Sequence, residues 1–172
     1  MFSDPVKNLK AFQLRETDIV VDLGAGTGFY TVAASGMAPA GKIYAVELQN
    51  DFLVTIRNKV KEAQLKNVEC LLGNVERLHG THLKDGIADK AIASNILSQV
   101  ELREKFLQEV KRILKQGGEV MLVDWSPASQ IFQTKIAIPK EKAKELFHEA
   151  GFIFTRDIDA GAHHYGMIFR KL

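Results

Sequence analysis

The feature that most restricts the fold of this chain is the stretch IVVDLGAGTGFYT, residues 19–31. Apolar residues that suit a buried strand run directly into three glycines at alternate positions, Gly24, Gly26 and Gly28. Glycine accepts backbone conformations that other residues avoid, and it lets a ligand approach the main chain closely. The stretch therefore predicts a buried strand, a ligand-binding loop, and a helix from about Gly28 to about Met37.

Segments with strand and helix character alternate along the whole chain. Five segments predict buried strands of a parallel sheet: DIVVDL, KIYAVEL, VECLLG, DKAIASNIL and EVMLVDW. Helices are expected between them, and FIFTRDI and YGMIFRK predict a C-terminal antiparallel pair. Such alternation indicates an α/β fold. We expect one domain over residues 1–172: a Rossmann-like, doubly wound, mostly parallel seven-stranded sheet with an antiparallel C-terminal hairpin strand and helices on both faces.

Local signals predict where two of the helices begin or end. SDPVKNLKAF predicts a first helix with a capping residue at position 3 or 4 and an apolar stripe formed by Val6, Leu9 and Phe12. ELREKFLQEVKRILKQGG predicts a strongly amphipathic helix, with Gly117 placed to end it. In this architecture ligands bind beyond the carboxyl ends of the strands, which directs attention to the residues that follow each strand.

The spacing of the glycine loop separates the possible ligands. A phosphate loop with the pattern GxxxxGKS/T needs a lysine that does not follow Gly28 at the required place. A dinucleotide loop has its third glycine where this chain has Phe29. Glu47, at the end of the second predicted strand, can accept hydrogen bonds from both hydroxyls of a ribose. The pattern indicates a ligand that contains a nucleoside.

Charge and cysteine content argue against several classes of protein. The net charge is +2, from 23 basic and 21 acidic residues, which is too small to suggest a nucleic-acid partner. The single cysteine, Cys70, cannot form an internal disulfide and fits a reducing compartment. No segment is long and apolar enough for a signal peptide or a membrane span. We expect a cytoplasmic protein.

Five stretches, in this order, resemble the class I S-adenosylmethionine-dependent methyltransferases: VVDLGAGTGFYT, IYAVEL, LLGNVERL, DKAIASNIL and VKRILKQGGEVMLVDW. The chain is most similar to the small-molecule methyltransferases of the ubiquinone and menaquinone biosynthesis type. The resemblance implies S-adenosylmethionine as cofactor. It also implies methyl transfer to a small or medium-sized organic acceptor by in-line displacement, with catalysis mainly by positioning.

The resemblance further implies which residues bind the cofactor. The loop glycines would let the main chain approach the methionine and ribose parts, Glu47 would bind the ribose hydroxyls and Leu48 would pack on adenine. The family usually has aspartate at Asn74, whose carbonyl can still accept a hydrogen bond from adenine. The complete expected set is Asp22, Gly24, Ala25, Gly26, Gly28, Glu47, Leu48, Asn74, Val75, Ser94 and Asn95.

No motif identifies catalytic residues, so the candidates rest on their positions. Tyr30 follows the glycine loop, Asp124 and Trp125 follow the fifth strand, and His163 precedes the last strand. Asp124 or His163 could act as a base, Trp125 as a stacking wall and Tyr30 as a gate. Helix packing is the structural alternative for Tyr30, and a solvated turn for His163. No metal site is expected.

The segments that could cover an acceptor are short. The first strand begins near residue 18, and SPASQIFQTKIA alone separates the fifth strand from Pro139. The acceptor is then large and presented from outside, or the site stays open, or a second subunit of a homodimer closes it. Two other functions are also compatible with these residues: a non-catalytic module that binds S-adenosylmethionine or another nucleoside, and a nicotinamide-binding Rossmann protein.

Overall fold

The computed structural model describes residues 3–129 and 137–172. The described residues form five helices and seven strands. The helices are α1 (Pro5–Phe12), α2 (Phe29–Met37), α3 (Asn50–Glu62), α4 (Arg103–Ile113) and α5 (Lys140–Glu149). The strands are β1 (Ile19–Leu23), β2 (Lys42–Glu47), β3 (Val68–Leu72), β4 (Ala88–Ser94), β5 (Leu114–Trp125), β6 (Phe152–Ile158) and β7 (His164–Lys171).

The seven strands form one sheet in the order β3-β2-β1-β4-β5-β7-β6. The neighbouring strands among β1 to β5 are parallel, and β7 runs antiparallel to both β5 and β6. The predicted Rossmann-like sheet, with its antiparallel C-terminal strands, is confirmed. The helix predicted after the glycine loop spans Phe29–Met37, as expected.

The strand order creates a switch point between β1 and β4. From β1 the chain builds outward through β2 to β3, and it then returns to place β4 on the other side of β1. The connections on the two sides of this point leave in opposite directions. A crevice therefore opens beyond the carboxyl ends of these strands, where ligands bind in open α/β sheets.

Helices cover both faces of the sheet because its central strands are apolar on both sides. On one face α1 and α2 pack against the sheet in a buried cluster that includes Phe12 and Val20. Helix α3 extends this face over β2. On the opposite face α4 and α5 bury Phe106 and Phe147 against Leu122. Alternate residues of one strand consequently face different helices, which matters for the residues at the strand ends.

Helix α1 begins as predicted but buries a different face. The Asp4 carboxylate accepts hydrogen bonds from Val6 N and Lys7 N, at 2.9 and 3.2 Å, and so caps the helix. Val6, predicted to be part of the apolar stripe, is 46% exposed, whereas Asn8 is fully buried together with Leu9. The prediction for Val6 was wrong because the Asn8 amide finds hydroxyl partners beneath the helix and can therefore occupy the buried position.

The predicted end of α4 at Gly117 was also wrong. The helix ends at Ile113, and Leu114 already belongs to β5, where it pairs with Ala88. The pairing of β4 with β5 then shifts between Ala88 and Lys90. Gly117, with φ 75°, lies in this irregular part of β5. The glycine therefore serves the backbone of a strand irregularity, which has the same left-handed requirement as a helix end.

Candidate functional site

A cavity of about 770 Å³ lies beyond the carboxyl ends of β1, β2, β3 and β4. Sites for small molecules and cofactors usually measure roughly 300–1,000 Å³. Ten of the eleven predicted cofactor-binding residues line this cavity: Asp22, Gly24, Ala25, Gly26, Glu47, Leu48, Asn74, Val75, Ser94 and Asn95. The fold thus brings residues from the ends of four strands to the wall of one cavity, where a single extended ligand can contact all of them.

The glycine loop follows β1 and owes its shape to backbone that other residues rarely adopt. Gly24, Gly26 and Gly28 have φ angles of 66°, 54° and 80°. Gly24 N donates to Val46 O at 2.9 Å, which fixes the loop to the end of β2. Gly28 is the predicted residue that does not line the cavity; it begins α2, and a Cβ there would lie 3.0 Å from Ile56 Cγ1. Its role is to let α2 and α3 pack closely.

Glu47 ends β2 with a carboxylate that three main-chain groups hold in place. Its Oε2 accepts from Gly26 N at 2.8 Å, and its Oε1 accepts from Leu48 N and Gln49 N, both at 2.9 Å. The residue is only 6% exposed, yet it lines the cavity. Because a carboxylate has about four acceptor positions, it can still accept a hydrogen bond from a ligand hydroxyl. The arrangement is a rigid acceptor of the kind a ribose requires.

Asn74 follows β3 and shapes the loop that ends this side of the cavity. Its Oδ1 accepts from Glu76 N at 2.9 Å, and its N donates to Gly80 O at 2.9 Å. The side-chain carbonyl that we expected to face adenine is thus already used by the turn. The Asn74 amide retains its two donor hydrogens, which can bond a ring nitrogen.

Glu109 on α4 supports that loop from the opposite side. This fully buried carboxylate accepts from His79 N at 2.8 Å and from Thr81 Oγ1 at 2.6 Å, and it pairs with Arg112 at 2.7 Å. Burial raises the pKa of Glu109, but the hydrogen bonds from these three residues outweigh it and lower the pKa to about 2. The loop that carries Asn74 is therefore anchored to α4 by an ionised carboxylate.

Asp22 lies at the centre of the cavity, near the end of β1. Thr31 Oγ1, from the first turn of α2, donates to Asp22 Oδ2 at 2.6 Å. Burial raises the pKa of Asp22 from 3.8 to about 6, and the nearby charge of Glu47 adds to this shift. A buried carboxylate that is costly to ionise favours a cationic ligand.

Tyr30 closes the β4 side of the cavity together with the start of the chain. Asn8 Nδ2 donates to the Tyr30 hydroxyl and to Ser3 Oγ, both at 2.7 Å, and the two hydroxyl oxygens lie 3.2 Å apart. Ser3, Pro5 and Tyr30 all line the cavity. Burial raises the pKa of Tyr30, so its phenol is protonated at neutral pH. The N-terminal segment thus covers part of the site.

Asn95, immediately after β4, carries a buried polar atom that the fold does not satisfy. Its φ angle is 53°, and its N donates to Val123 O at 2.7 Å. Within residues 3–129 and 137–172, the buried Asn95 Oδ1 has no hydrogen-bond partner. Buried polar atoms are nearly always paired, so this acceptor at the cavity wall suits a donor of a bound ligand.

Asp124, Trp125 and His163, three of the four catalytic candidates, do not line this cavity. Asp124 faces the α4 side, like Leu122 two residues earlier, and its fully buried carboxylate accepts from Ser98 Oγ at 2.9 Å. Burial raises the pKa of Asp124. The alternation of side chains along β5 explains why this strand-end carboxylate secures the turn after β4 and does not reach the cavity.

Trp125 and the two histidines form a separate group at the rim. The Trp125 ring lies 4.0 Å from the ring of His164, measured between centroids. His163 Nδ1 lies 3.3 Å from Ser129 Oγ. Residues 130–136, most of the short segment expected to cover the acceptor, lie outside the described residues.

The sequence reasoning missed several residues that shape the site. Ser3, Asn8 and Thr31 belong to its hydrogen-bond network, and Phe29, 68% exposed, stands at its mouth. A signal existed for Asn8, which precedes Phe12 by four residues and so lies on the buried face of α1. Thr31 gave no comparable signal, because only the packing of α2 on β1 brings it to Asp22.

A second depression, of about 590 Å³, lies between α3 and the edge strand β3. It is open to solvent and is lined by residues that include Arg57, Lys61, Lys66 and Cys70. None of the strand-end carboxylates lies there, so the cavity at the switch point is the better candidate site. Among the residues that the structure describes, no cluster of metal-binding side chains and no helix able to cross a membrane is found.

Comparisons with known proteins agree on one family. A family model described as a methyltransferase domain matches residues 14–159. The demethylmenaquinone methyltransferase of Listeria welshimeri is 27% identical over 202 aligned residues, which cover 96% of this chain and 84% of that protein. The demethylmenaquinone methyltransferase of a Geobacillus species is 27% identical over 124 residues, covering 72% of this chain and 52% of that protein.

Solved structures show the same fold. A S-adenosylmethionine-dependent methyltransferase from Aquifex aeolicus superimposes with a TM-score of 0.91 at 27% identity, covering 99% of this chain and 91% of that chain. The [4+2]-cyclase SpnF superimposes with a TM-score of 0.83 at 15% identity, covering 98% of this chain and 80% of that chain. The second likeness concerns the fold alone, since one fold can carry different chemistries.

The cavity fits the cofactor that the family uses. A fixed carboxylate at Glu47 suits a diol, the carboxylate of Asp22 suits a cation, and the unpaired Asn95 Oδ1 suits an N–H donor. The non-catalytic and nicotinamide-binding alternatives are not favoured by the comparisons. The chain belongs to the class I S-adenosylmethionine-dependent methyltransferases, and it methylates a small organic acceptor with S-adenosylmethionine as donor.

Proposed function

We propose that the β2–β3 end of the cavity holds the nucleoside of S-adenosylmethionine. Glu47 accepts a hydrogen bond from a ribose hydroxyl through the acceptor position that remains on Oε2, while Leu48 and Val75 pack on the two faces of adenine and Asn74 bonds its edge. The observation that carries this assignment is the Glu47 carboxylate, which three main-chain N–H groups hold at the cavity wall. Leu48 lines the cavity with a 60% exposed apolar side chain, which supports a role in covering a flat ring.

The methionine part then lies at the β1–β4 end. Gly24 and Gly26 allow the main chain to approach it, and Asp22 pairs with its ammonium group. Asn95 Oδ1 supplies a second acceptor there, and Ser94 lies beside the reacting centre. The raised pKa of Asp22 supports this pairing, because a bound cation would offset the cost of burying its charge.

The bound cofactor supplies an electrophilic methyl group, so the protein's task is to hold the acceptor in line with it. Positioning of this kind contributes up to about 7–11 kcal/mol to catalysis. Tyr30 is the one of the four catalytic candidates that lines the cavity. We assign it to acceptor positioning. Trp125 and His163 stay candidates for the rim of the acceptor site, and Asp124 for the support of the turn after β4.

We propose a small aromatic acceptor with a hydroxyl group, such as a quinol or a phenol. The relatives named demethylmenaquinone methyltransferase, which align with 96% of this chain, support this class.

We also propose that the chain acts as a cytoplasmic enzyme on free small molecules and not on nucleic acid, in keeping with its net charge of +2. The exposed Phe29 at the mouth supports closure by a second copy, which sedimentation velocity with and without cofactor would test.

Isothermal titration with S-adenosylhomocysteine tests the cofactor assignment. Glu47→Ala should weaken binding by about tenfold or more, because a hydrogen bond to a charged group contributes about 1.5–3 kcal/mol. Glu69→Ala is the matched control, since that carboxylate pairs with Lys42 on the exposed edge of the sheet. Equal affinities of the two variants would contradict the assignment.

Methyl transfer tests the acceptor class. Purified protein is incubated with radiolabelled S-adenosylmethionine and a panel of quinols, phenols, amines and thiols. We expect labelled product with the quinols or phenols. Turnover of the amines or thiols alone would reject this acceptor class while leaving the cofactor assignment intact.

A further inference from the structure

One wall of the cavity comes from a segment that the methyltransferase family model does not include. The model matches residues 14–159, whereas Ser3 and Pro5, which precede this range, line the cavity. Helix α1 packs against α2 and carries these residues to the β4 side of the site. The part of this wall before residue 14 therefore lies outside the range that the family model describes.

Asn8 organises the wall through its two amide hydrogens. The residue is fully buried, and Nδ2 donates to Ser3 Oγ and to the Tyr30 hydroxyl, both at 2.7 Å. Its Oδ1 is buried and has no partner among the described residues. A leucine would fill the same space without an unsatisfied carbonyl, so packing does not account for an amide here. The two hydrogen bonds that Asn8 donates to hydroxyl groups of the cavity account for the amide at this position.

Asn8 does not use the Tyr30 proton, which the phenol can donate to Ser3 Oγ or to a ligand. The Tyr30 oxygen accepts a hydrogen from Asn8, so its own hydrogen points toward a different atom. Ser3 Oγ lies 3.2 Å away, and Ser94 is a further hydrogen-bonding neighbour. Ser3, Tyr30 and Ser94 all line the cavity. They form a row of three hydroxyl groups that can donate to an oxygen atom and accept from it.

The position of this row separates it from the nucleoside pocket. In the sheet order, Asn74 follows β3, Glu47 ends β2, Asp22 lies on β1 and Ser94 ends β4. The hydroxyl row therefore lies at the opposite end of the cavity from Asn74. A ligand whose ribose is bound at Glu47 leaves this end for the second substrate.

We propose that the hydroxyl row of Ser3, Tyr30 and Ser94, ordered by Asn8, binds the hydroxyl oxygen of the methyl acceptor, with Tyr30 as its central contact. The inference rests on the proposed acceptor class and adds the residues that select it. Asn8 is a positioning residue that acts through Tyr30. The site then prefers acceptors with an oxygen on the ring over apolar molecules of the same shape.

Two isosteric probes test the inference without turnover. 1-Naphthol and 1-methylnaphthalene differ by a hydroxyl in place of a methyl group. Their affinities for the complex with S-adenosylhomocysteine are measured by isothermal titration. Wild-type protein should prefer 1-naphthol by at least about tenfold, because a site built for a hydroxyl discriminates against the analogue that lacks it. Tyr30→Phe should reduce this preference to less than about threefold while S-adenosylhomocysteine binding changes less than about twofold.

Two further variants separate selectivity from folding. Tyr44→Phe removes a hydroxyl from a tyrosine on β2 that lies beside Lys42 and outside the cavity, and it should keep the full preference. Asn8→Leu should lower the preference as Tyr30→Phe does, without a lower melting temperature. If Tyr30→Phe and Asn8→Leu lose affinity for both probes by the same factor, these residues have a structural role and the inference is overturned.

The outcomes distinguish this inference from the function on which it rests. If wild-type protein binds neither probe but binds S-adenosylhomocysteine, the aromatic acceptor class is rejected, and the inference with it. If wild-type protein prefers 1-naphthol and Tyr30→Phe keeps that preference, only the inference is overturned. If the preference is lost in Tyr30→Phe and kept in Tyr44→Phe, the hydroxyl row is the acceptor-selecting element.

Discussion

The two ends of the cavity are built from different kinds of hydrogen bond. At the β2–β3 end, main-chain N–H groups hold the side chains: three bond Glu47 and one bonds Asn74. At the β1–β4 end, side chains hold side chains: Thr31 bonds Asp22, and Asn8 bonds Tyr30. The first kind depends on the course of the backbone, and the second depends on which helix is packed above the sheet.

The difference explains why the two ends are unequally visible in a sequence. A loop shaped by main-chain bonds needs glycine at fixed positions. The spacing of Gly24 and Gly26 therefore reveals this loop in the sequence. A network of side chains from α1 and α2 has no spacing of its own. The nucleoside end can therefore be shared by many methyltransferases, while the wall formed by α1 and Tyr30 at the other end can change with the acceptor. Four predictions probe this contrast, in order of decreasing effect.

The largest effect should come from Glu109, which anchors the Asn74 loop through main-chain and side-chain bonds. Glu109→Ala should lower the free energy of unfolding by about 3–5 kcal/mol, since Arg112 loses its buried partner and keeps only the exposed carboxylate of Asp85. Urea denaturation at pH 7 measures it, with the exposed Glu104 on the same helix as the matched control. A loss no larger than that of Glu104→Ala would show that the loop holds itself.

The pH dependence of wild-type stability follows from the lowered pKa of Glu109, about 2 against an ordinary 4.5. A carboxyl with a depressed pKa stabilises the folded state above its unfolded pKa, and this contribution is lost as the pH falls toward 2. Wild-type stability should therefore decrease between about pH 4.5 and 2, and Glu109→Gln should remove that part of the decrease. An unchanged acid profile would contradict the assigned anchor.

A smaller effect is expected at Gly24, where the substitution changes the shape of the glycine loop and no charge. Gly24→Ala places a Cβ 2.1 Å from the Ile96 Cδ1 position at a φ of 66°. Left-handed backbone costs a non-glycine residue about 1–2 kcal/mol, and the Ile96 side chain must move as well. S-adenosylhomocysteine affinity should fall by about tenfold.

Gly86 provides the matched control for that variant. It has a similar φ of 60°, lies outside the cavity, and has no atom within 4 Å of an added Cβ. Gly86→Ala should lose about 1 kcal/mol of stability and bind S-adenosylhomocysteine normally. If both variants lose affinity equally, the shape of the glycine loop is not what the cofactor requires.

The smallest effect concerns Asp22, at the β1–β4 end. Burial raises its pKa to about 6, so the carboxylate is ionised at pH 7 and becomes protonated below pH 6. S-adenosylhomocysteine affinity should fall severalfold from pH 7.5 to pH 5, because protonated Asp22 cannot pair with the ligand ammonium group. Titration at several pH values measures it, and Asp22→Asn should show a flat profile. The same slope in that variant would place the titrating group elsewhere.

The two carboxylates also give opposite signs for stability. A raised pKa means that the folded state binds the proton more tightly than the unfolded chain, so Asp22 makes the folded protein more stable as the pH falls from about 6 to 4. Glu109 acts in the reverse direction, at lower pH. The contrast reflects two different roles. Glu109 forms an ion pair within the fold, whereas Asp22 is proposed to pair with a cationic group of the ligand.

Much of the fold could be predicted because its causes are local. The strand-to-glycine transition at Gly24 and the strand-end Glu47 lie within one βαβ unit, where period and spacing reveal them. The errors arose where a contact from a distant segment decided the outcome. Val6 is exposed because Asn8, which donates a hydrogen bond to Tyr30, occupies the buried face of α1. Gly117 lies in a strand because Leu114 pairs with Ala88.

The candidate site divides along the same line. The amino-acid order was enough to predict a parallel sheet, a nucleoside-binding loop and the carboxylate that faces it, since backbone requirements are written into residue type and spacing. Only the packed structure could show that Asp124 faces α4 and that Tyr30, Asn8 and Ser3 meet at the cavity. Which face of a strand meets which helix depends on the assembly of the whole sheet, and short-range patterns carry no record of it.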